Sequence, residues 1–237
     1  VRQVELVGGA VAVLAHGAAT RAVAIDAAGA VWSADVDGVV RGGPGGAAAV
    51  VARLAGAASA IALGPDGAWA VGLEDGGVVL GGGATPRRLP GHAREVGRLV
   101  FVDAATLISA SEDGRVMAWD VASGVGRELG RHDEWVSALA LAPDRRRVAT
   151  GSADGTVRIW SLDGGPPEVR RAHAGTVWSV AWASDGRLAS GGGDEQVRVW
   201  SATGAASTTL AFGHAVRQVA WVDGALVAAG LGLRGAP

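Results

Sequence analysis

Histidine, a hydroxyl residue, aspartate and tryptophan recur together in this chain. They stand as His92, Ser109, Asp113 and Trp119, then as His132, Thr150, Asp154 and Trp160, then as His173, Ser190, Asp194 and Trp200. A hydroxyl beside an imidazole that is oriented by a carboxylate is the constellation that activates a nucleophile. Histidine with aspartate is also a usable metal-ligand pair. Repetition argues against both readings, because an active site is built once whereas a device of the fold is needed in every unit. One histidine per unit also points to separate places rather than to a single metal. The set is therefore assigned no catalytic, cofactor-binding or metal-binding role.

Other chemistry is similarly thin. The chain has no lysine, which excludes a phosphate-cradling loop that ends on one. No G-x-S-x-G occurs, and its nearest look-alike, Gly151-Ser152-Ala153, falls in a strand rather than at a strand-to-helix elbow. The paired acids Glu112-Asp113, Asp133-Glu134 and Asp194-Glu195 suit solvated loops. With no cysteine, disulfides and thiolate metal sites are excluded, and a reducing, cytoplasmic location is expected. A net charge of −2 argues against nucleic acid as a partner, although Arg87, Arg88, Arg127, Arg131, Arg170 and Arg171 could form a local basic band for an acidic partner or a nucleic-acid backbone. No apolar run is long enough to cross a membrane, and no small-molecule site or cofactor is indicated.

The elements that must carry these residues are short strands. Residues 148–163 alternate apolar and polar, turn at Asp154-Gly155, and alternate again into Trp160, which is a β-hairpin pattern. The same pattern returns over 107–120 and 188–201. The turn aspartates are spaced 154−113=41 and 194−154=40, and weaker copies turn at Asp37, Asp75 and Asp223. A period of this size, with a Trp-Asp or Trp-Ser end to each hairpin, resembles the WD-repeat β-propeller family, most clearly over residues 89–214.

The resemblance implies an all-β chain of four-stranded blades. Six units follow, near 14–53, 54–88, 89–128, 129–169, 170–209 and 210–237, as one domain spanning 1–237. The last unit has only two strands, and residues 1–13 supply two more, so the ring is expected to close through the chain's ends. A seven-bladed parent that has lost a blade is the alternative. The family also implies a hydrogen-bonded network for the repeated His, Ser/Thr, Asp and Trp, which satisfies each buried polar group in turn. It further implies a non-enzymatic scaffold or sensor module, in bacteria often joined to an effector domain, which a start at Val1 would suit. A propeller enzyme with a pocket at the central channel is the rival.

Most tryptophans fall in slots that the repeat reserves for its core. Trp32, Trp135 and Trp178 do not. Trp135 and Trp178 come three and five residues after their repeat histidines, at the start of a strand in adjacent units. With Asp133 and Glu134 beside Trp135, and Arg94 and Glu95 in the preceding unit, they are the expected partner-binding surface: an apolar centre with a polar rim.

Overall fold

The computed structural model describes residues 2–5, 11–14, 18–26, 28–42, 49–83, 85–204 and 207–231. His16, expected to open the first unit, and residues 6–10 of the N-terminal segment lie outside them. Strands dominate, and each sheet is a meander of neighbours in sequence.

β1 (Arg2–Glu5) and β2 (Val11–Leu14) pair antiparallel as a two-stranded sheet. Five four-stranded sheets follow. The first holds β3 (Thr20–Ile25), β4 (Val31–Asp35), β5 (Val39–Gly42) and β6 (Ala49–Arg53). The second holds β7 (Ala58–Leu63), β8 (Trp69–Leu73), β9 (Val78–Gly81) and β10 (Arg87–Leu89), and the third β11 (Arg98–Phe101), β12 (Thr106–Ala110), β13 (Arg115–Asp120) and β14 (Gly126–Arg131). The fourth holds β15 (Val136–Leu141), β16 (Arg147–Ser152), β17 (Thr156–Ser161) and β18 (Glu168–Arg171). The fifth is β19 (Val177–Trp182), β20 (Leu188–Gly192), β21 (Gln196–Trp200) and β22 (Ser207–Ala211), and β23 (Ala215–Val222) with β24 (Ala225–Leu231) forms a final two-stranded sheet. No helix among the described residues is long and apolar enough to cross a membrane.

The central hairpins turn where the aspartates predict. Gly155 adopts φ 78°, a left-handed conformation that costs glycine nothing. At the corresponding turn of the fifth sheet, Glu195 takes φ 65° without that advantage. Outer strands are exposed, as in β22, where all five residues face solvent.

The chain forms two compact units, Val1–Ser111 with Met117–Arg127, and Glu112–Val116 with Glu128–Pro237. In each, the core lies between successive sheets. Val40 and Leu73 share one cluster of the first unit, and Leu89, Phe101, Leu107 and Trp119 share another. In the second unit Ile159, Val177, Leu188 and Trp200 pack together, and Val197 packs with Val216 and Val219. Glycine permits this closeness: a Cβ on Gly151 or Gly191 would collide with Val177 or Val216 of the next first strand.

The tryptophan slot is filled in two ways. Trp160 stands opposite Val148, and Trp200 opposite Leu188. In the second sheet the pair is exchanged, with Trp69 opposite Gly81, and a Cβ on Gly81 would run into the Trp69 ring. Trp32 similarly covers Gly42, and its Nε1 donates to Asp26 Oδ2 at 3.3 Å, which gives this residue a packing role.

Candidate functional site

Each network histidine precedes the first strand of its sheet, and its partners come from the next hairpin. In the fourth sheet His132 Nδ1 lies 3.1 Å from Asp154 Oδ2 and from Thr156 Oγ1, while Nε2 lies 2.7 Å from Thr150 Oγ1. Trp160 Nε1 donates to the same Thr150 oxygen at 2.8 Å. Asp154 further accepts the backbone N–H of Thr156 at 2.8 Å, its hydroxyl at 2.6 Å and the backbone N–H of Asp133 at 3.2 Å. In the fifth sheet His173 contacts Asp194 at 2.7 Å and Ser190 at 2.6 Å, and Asp194 accepts from the Ala174 N–H at 3.1 Å. Trp200 there lies beneath the Arg170 guanidinium, 5.2 Å from ring centre to Cζ. In the third sheet His92 Nε2 meets Ser109 Oγ at 2.7 Å, and Trp119 Nε1 donates to that oxygen at 2.8 Å. Asp113 accepts the Arg115 backbone N–H at 2.9 Å.

The electrostatics keep His132 and His173 neutral. Burial pushes His132 down from 6.5 to about 4, against the pull of Asp154, and burial likewise lowers His173. Burial alone would raise the Asp154 carboxyl, but the Thr156 hydroxyl and N–H bonds, with His132 and the Asp133 N–H, hold it below the usual range. Every hydroxyl and imidazole nitrogen of the His132 set already has a partner, so none is left facing a substrate.

Trp135 and Trp178 do meet. Their ring centroids are 5.5 Å apart with planes inclined by 54°, and both rings are half-buried. Trp135 immediately precedes β15, and Trp178 is the second residue of β19. Asp133 and Glu134 are exposed on the loop that leads to Trp135, and Asp133 lies 3.7 Å from Arg158. Arg94 and Glu95 belong to the other compact unit. There the Arg94 carbonyl accepts from the Ser111 hydroxyl at 2.9 Å, and Glu95 lies 3.9 Å from Arg21.

Arg217, which the sequence did not single out, sits with its Cζ 3.7 Å from the Trp178 ring centre. A shared irregularity explains the placement. The pairing register slips at Arg21 in β3, Ser59 in β7, Ser137 in β15, Trp178 in β19 and Arg217 in β23, leaving each as the extra residue of a bulge. Ser59 donates to the Val96 carbonyl at 2.8 Å, and Ser137 donates to those of Gly151 and Val177. Arg21 pairs with Glu74 at 2.8 Å.

Three of the six arginines expected to form a band are engaged at the surface. Arg87 donates to the Val121 and Ala122 carbonyls, and Arg88 pairs with Asp75 at 2.8 Å. Arg170 pairs with Glu168 at 2.8 Å.

The profile of the WD domain, G-beta repeat family matches residues 83–120, 125–161 and 165–201. Coronin-7 of Pongo abelii is 33% identical over 105 residues, covering 42% of this chain and 11% of that protein. A guanine nucleotide-binding protein subunit beta of Zea mays is 33% identical over 121 residues, covering 46% of this chain and 32% of that protein. The matches thus span a third or less of these relatives. Among solved structures, a chain in the crystal structure of a mitotic checkpoint complex superposes with a TM-score of 0.76 at 27% identity, over 85% of this chain and 66% of that one.

Proposed function

Because the chain belongs to the WD40 repeat family of β-propellers, we propose that it is a non-catalytic protein-binding module, a scaffold or sensor within a larger protein. The Trp135–Trp178 pair carries the reading: two large aromatic residues are half-exposed at the start of neighbouring first strands, outside the slots that the repeat fills with core. Aromatic pairs of this kind are typical anchors of protein interfaces. The repeated His-Ser/Thr-Asp sets are committed to internal hydrogen bonds, which supports a module without turnover. A structural relative that comes from a multiprotein complex is in keeping with a protein partner. The cysteine-free composition suits the cytoplasm. We take the whole chain as one domain of six blades, with the N-terminal strands completing the sixth.

The test is affinity capture from source lysate on the immobilised chain, with the Trp135→Ala, Trp178→Ala double variant as comparator and mass spectrometry as readout. A partner retained by the native chain and lost from a still-folded variant is the expected result. Capture unaffected by the double substitution would place the interface elsewhere. Turnover of generic esters, peptides, phosphoesters or glycosides that disappears on one non-repeat substitution would overturn the module reading.

A further inference from the structure

Four arginines lie over tryptophan rings in the second compact unit: Arg147 over Trp182, Arg170 over Trp200, Arg187 over Trp221 and Arg217 over Trp178. Three of them are closed by a carboxylate from their own neighbourhood. Arg147 pairs with Asp144, Arg170 with Glu168 and Arg187 with Asp185, each at 2.8 Å. Arg217 has the closest stack of the four, at 3.7 Å, and no ion pair among the described residues. It is exposed, whereas Arg21, in the same bulge slot of β3, is neutralised by Glu74.

We propose that Arg217 and the Trp135–Trp178 pair form a recognition site for a peptide segment bearing a carboxylate side chain next to an apolar one. The proposal rests on the protein-binding reading above and adds the chemistry of the partner. With Cζ 3.7 Å over the Trp178 ring, the guanidinium keeps N–H donors that do not face the indole, and these match the two oxygens of a carboxylate. The indole beneath fixes the plane, so little side-chain freedom is lost when an acid binds. Trp135 and Trp178 provide apolar surface beside that cation for the neighbouring side chain. Two bulges in succession, at Trp178 and Arg217, bring these residues together, and bulges are a common means of re-aiming side chains at sites.

The rim selects a carboxylate over a phosphate or a nucleic acid. One guanidinium does not balance a dianion, and Glu134, exposed beside Trp135, repels extended negative charge. A lone acid next to a Leu- or Phe-like residue satisfies the cation without meeting that repulsion.

The full chain would be panned against a phage-displayed library of random dodecapeptides, and the selected peptides synthesised and measured by fluorescence anisotropy. Enriched peptides should share Asp or Glu next to an aliphatic or aromatic residue, and Arg217→Ala should weaken them at least tenfold. Changing the peptide acid to its amide should weaken binding to the native chain equally and add little in Arg217→Ala. Arg217→Glu should recover affinity for peptides in which the acid is replaced by Lys, a gain that a misfolded variant would not give. Peptides that bind Arg217→Ala as tightly as the native chain would overturn the site and leave the protein-binding reading standing. Loss in Arg217→Ala without dependence on the peptide acid would overturn the carboxylate, as would displacement by inorganic phosphate or by a single-stranded oligonucleotide at low millimolar concentration. A folded chain that selects no peptide would overturn this proposal and count against the protein-binding reading too.

Discussion

His132 is held between a carboxylate on one side and a hydroxyl on the other. Nδ1 faces the Asp154 carboxylate and so carries hydrogen, which leaves Nε2 to accept from the Thr150 hydroxyl, whose oxygen accepts from the Trp160 indole. That order is the one a neutral imidazole takes, and burial favours the neutral form. Asp154→Ala removes an acceptor used by His132, Thr156 and the Asp133 N–H, and should cost on the order of 1–3 kcal/mol. Amide exchange should quicken most in the fourth sheet and its neighbours, and uniform protection would contradict the network's role. Acid should have a related effect. Between pH 6.5 and about 4 the unfolded chain binds a proton at His132 that the folded chain does not, so stability present above 6.5 falls as pH drops. At about 1.4 kcal/mol per unit, that is of order 3 kcal/mol across the window. The Asp154 contribution is lost only on further acidification, below 3.8. Urea unfolding at pH 7 and pH 4.5 would reveal the drop, and an imidazole that titrates near 6.5 by NMR would exclude it.

Sheets were legible because hairpins advertise themselves. Asp154-Gly155 between two alternating runs specifies turn and register together, and the structure turns there. What stayed hidden depends on a one-residue slip or on exchange across a strand pair. Arg217 looks like any surface arginine until a bulge sets it on Trp178, and no local pattern encodes that slip. Trp135 and Trp178 could be found by elimination from the repeat, but their contact with each other needed the geometry. Arg94 and Glu95 are grouped with them by analogous position in the repeat alone, and they are described within the first compact unit. The Trp69–Gly81 exchange makes a test at this scale. Gly81→Trp alone should be strongly destabilising, because its Cβ already collides with the Trp69 ring. Trp69→Leu alone empties a buried site and should cost roughly 2–4 kcal/mol. Together they recreate the Leu188–Trp200 arrangement, so the double variant should be more stable than the sum of the two changes predicts, by 1 kcal/mol or more. Simple additivity in denaturant unfolding would mean that the two residues do not share one slot.

At the scale of the molecule, the strand count is uneven. Among the described residues, five sheets have four strands, while β1–β2 and β23–β24 have two each. An isolated two-stranded sheet is marginal in water, and an unpaired outer strand invites pairing with another chain. On the proposed closure, the N-terminal pair supplies the outer strands of the sixth blade, and the two ends of the chain share one sheet. Each blade of a repeat array is stabilised mainly by its neighbours, so an incomplete blade weakens the ones beside it most. Val222 and Val227, on the β23–β24 sheet and about half exposed at 54% and 50%, add apolar surface to that edge. Deleting residues 1–15 should therefore do more than trim a terminus. The truncated chain should elute as oligomers in size-exclusion chromatography with light scattering, and its calorimetric transition should broaden and shift down as the last sheets melt ahead of the rest. Adding residues 1–15 back as a separate peptide should sharpen the transition, since a ligand bound only to the folded state raises its stability. A truncated chain that stays monomeric with an unchanged melting curve would show that the ends do not close the fold.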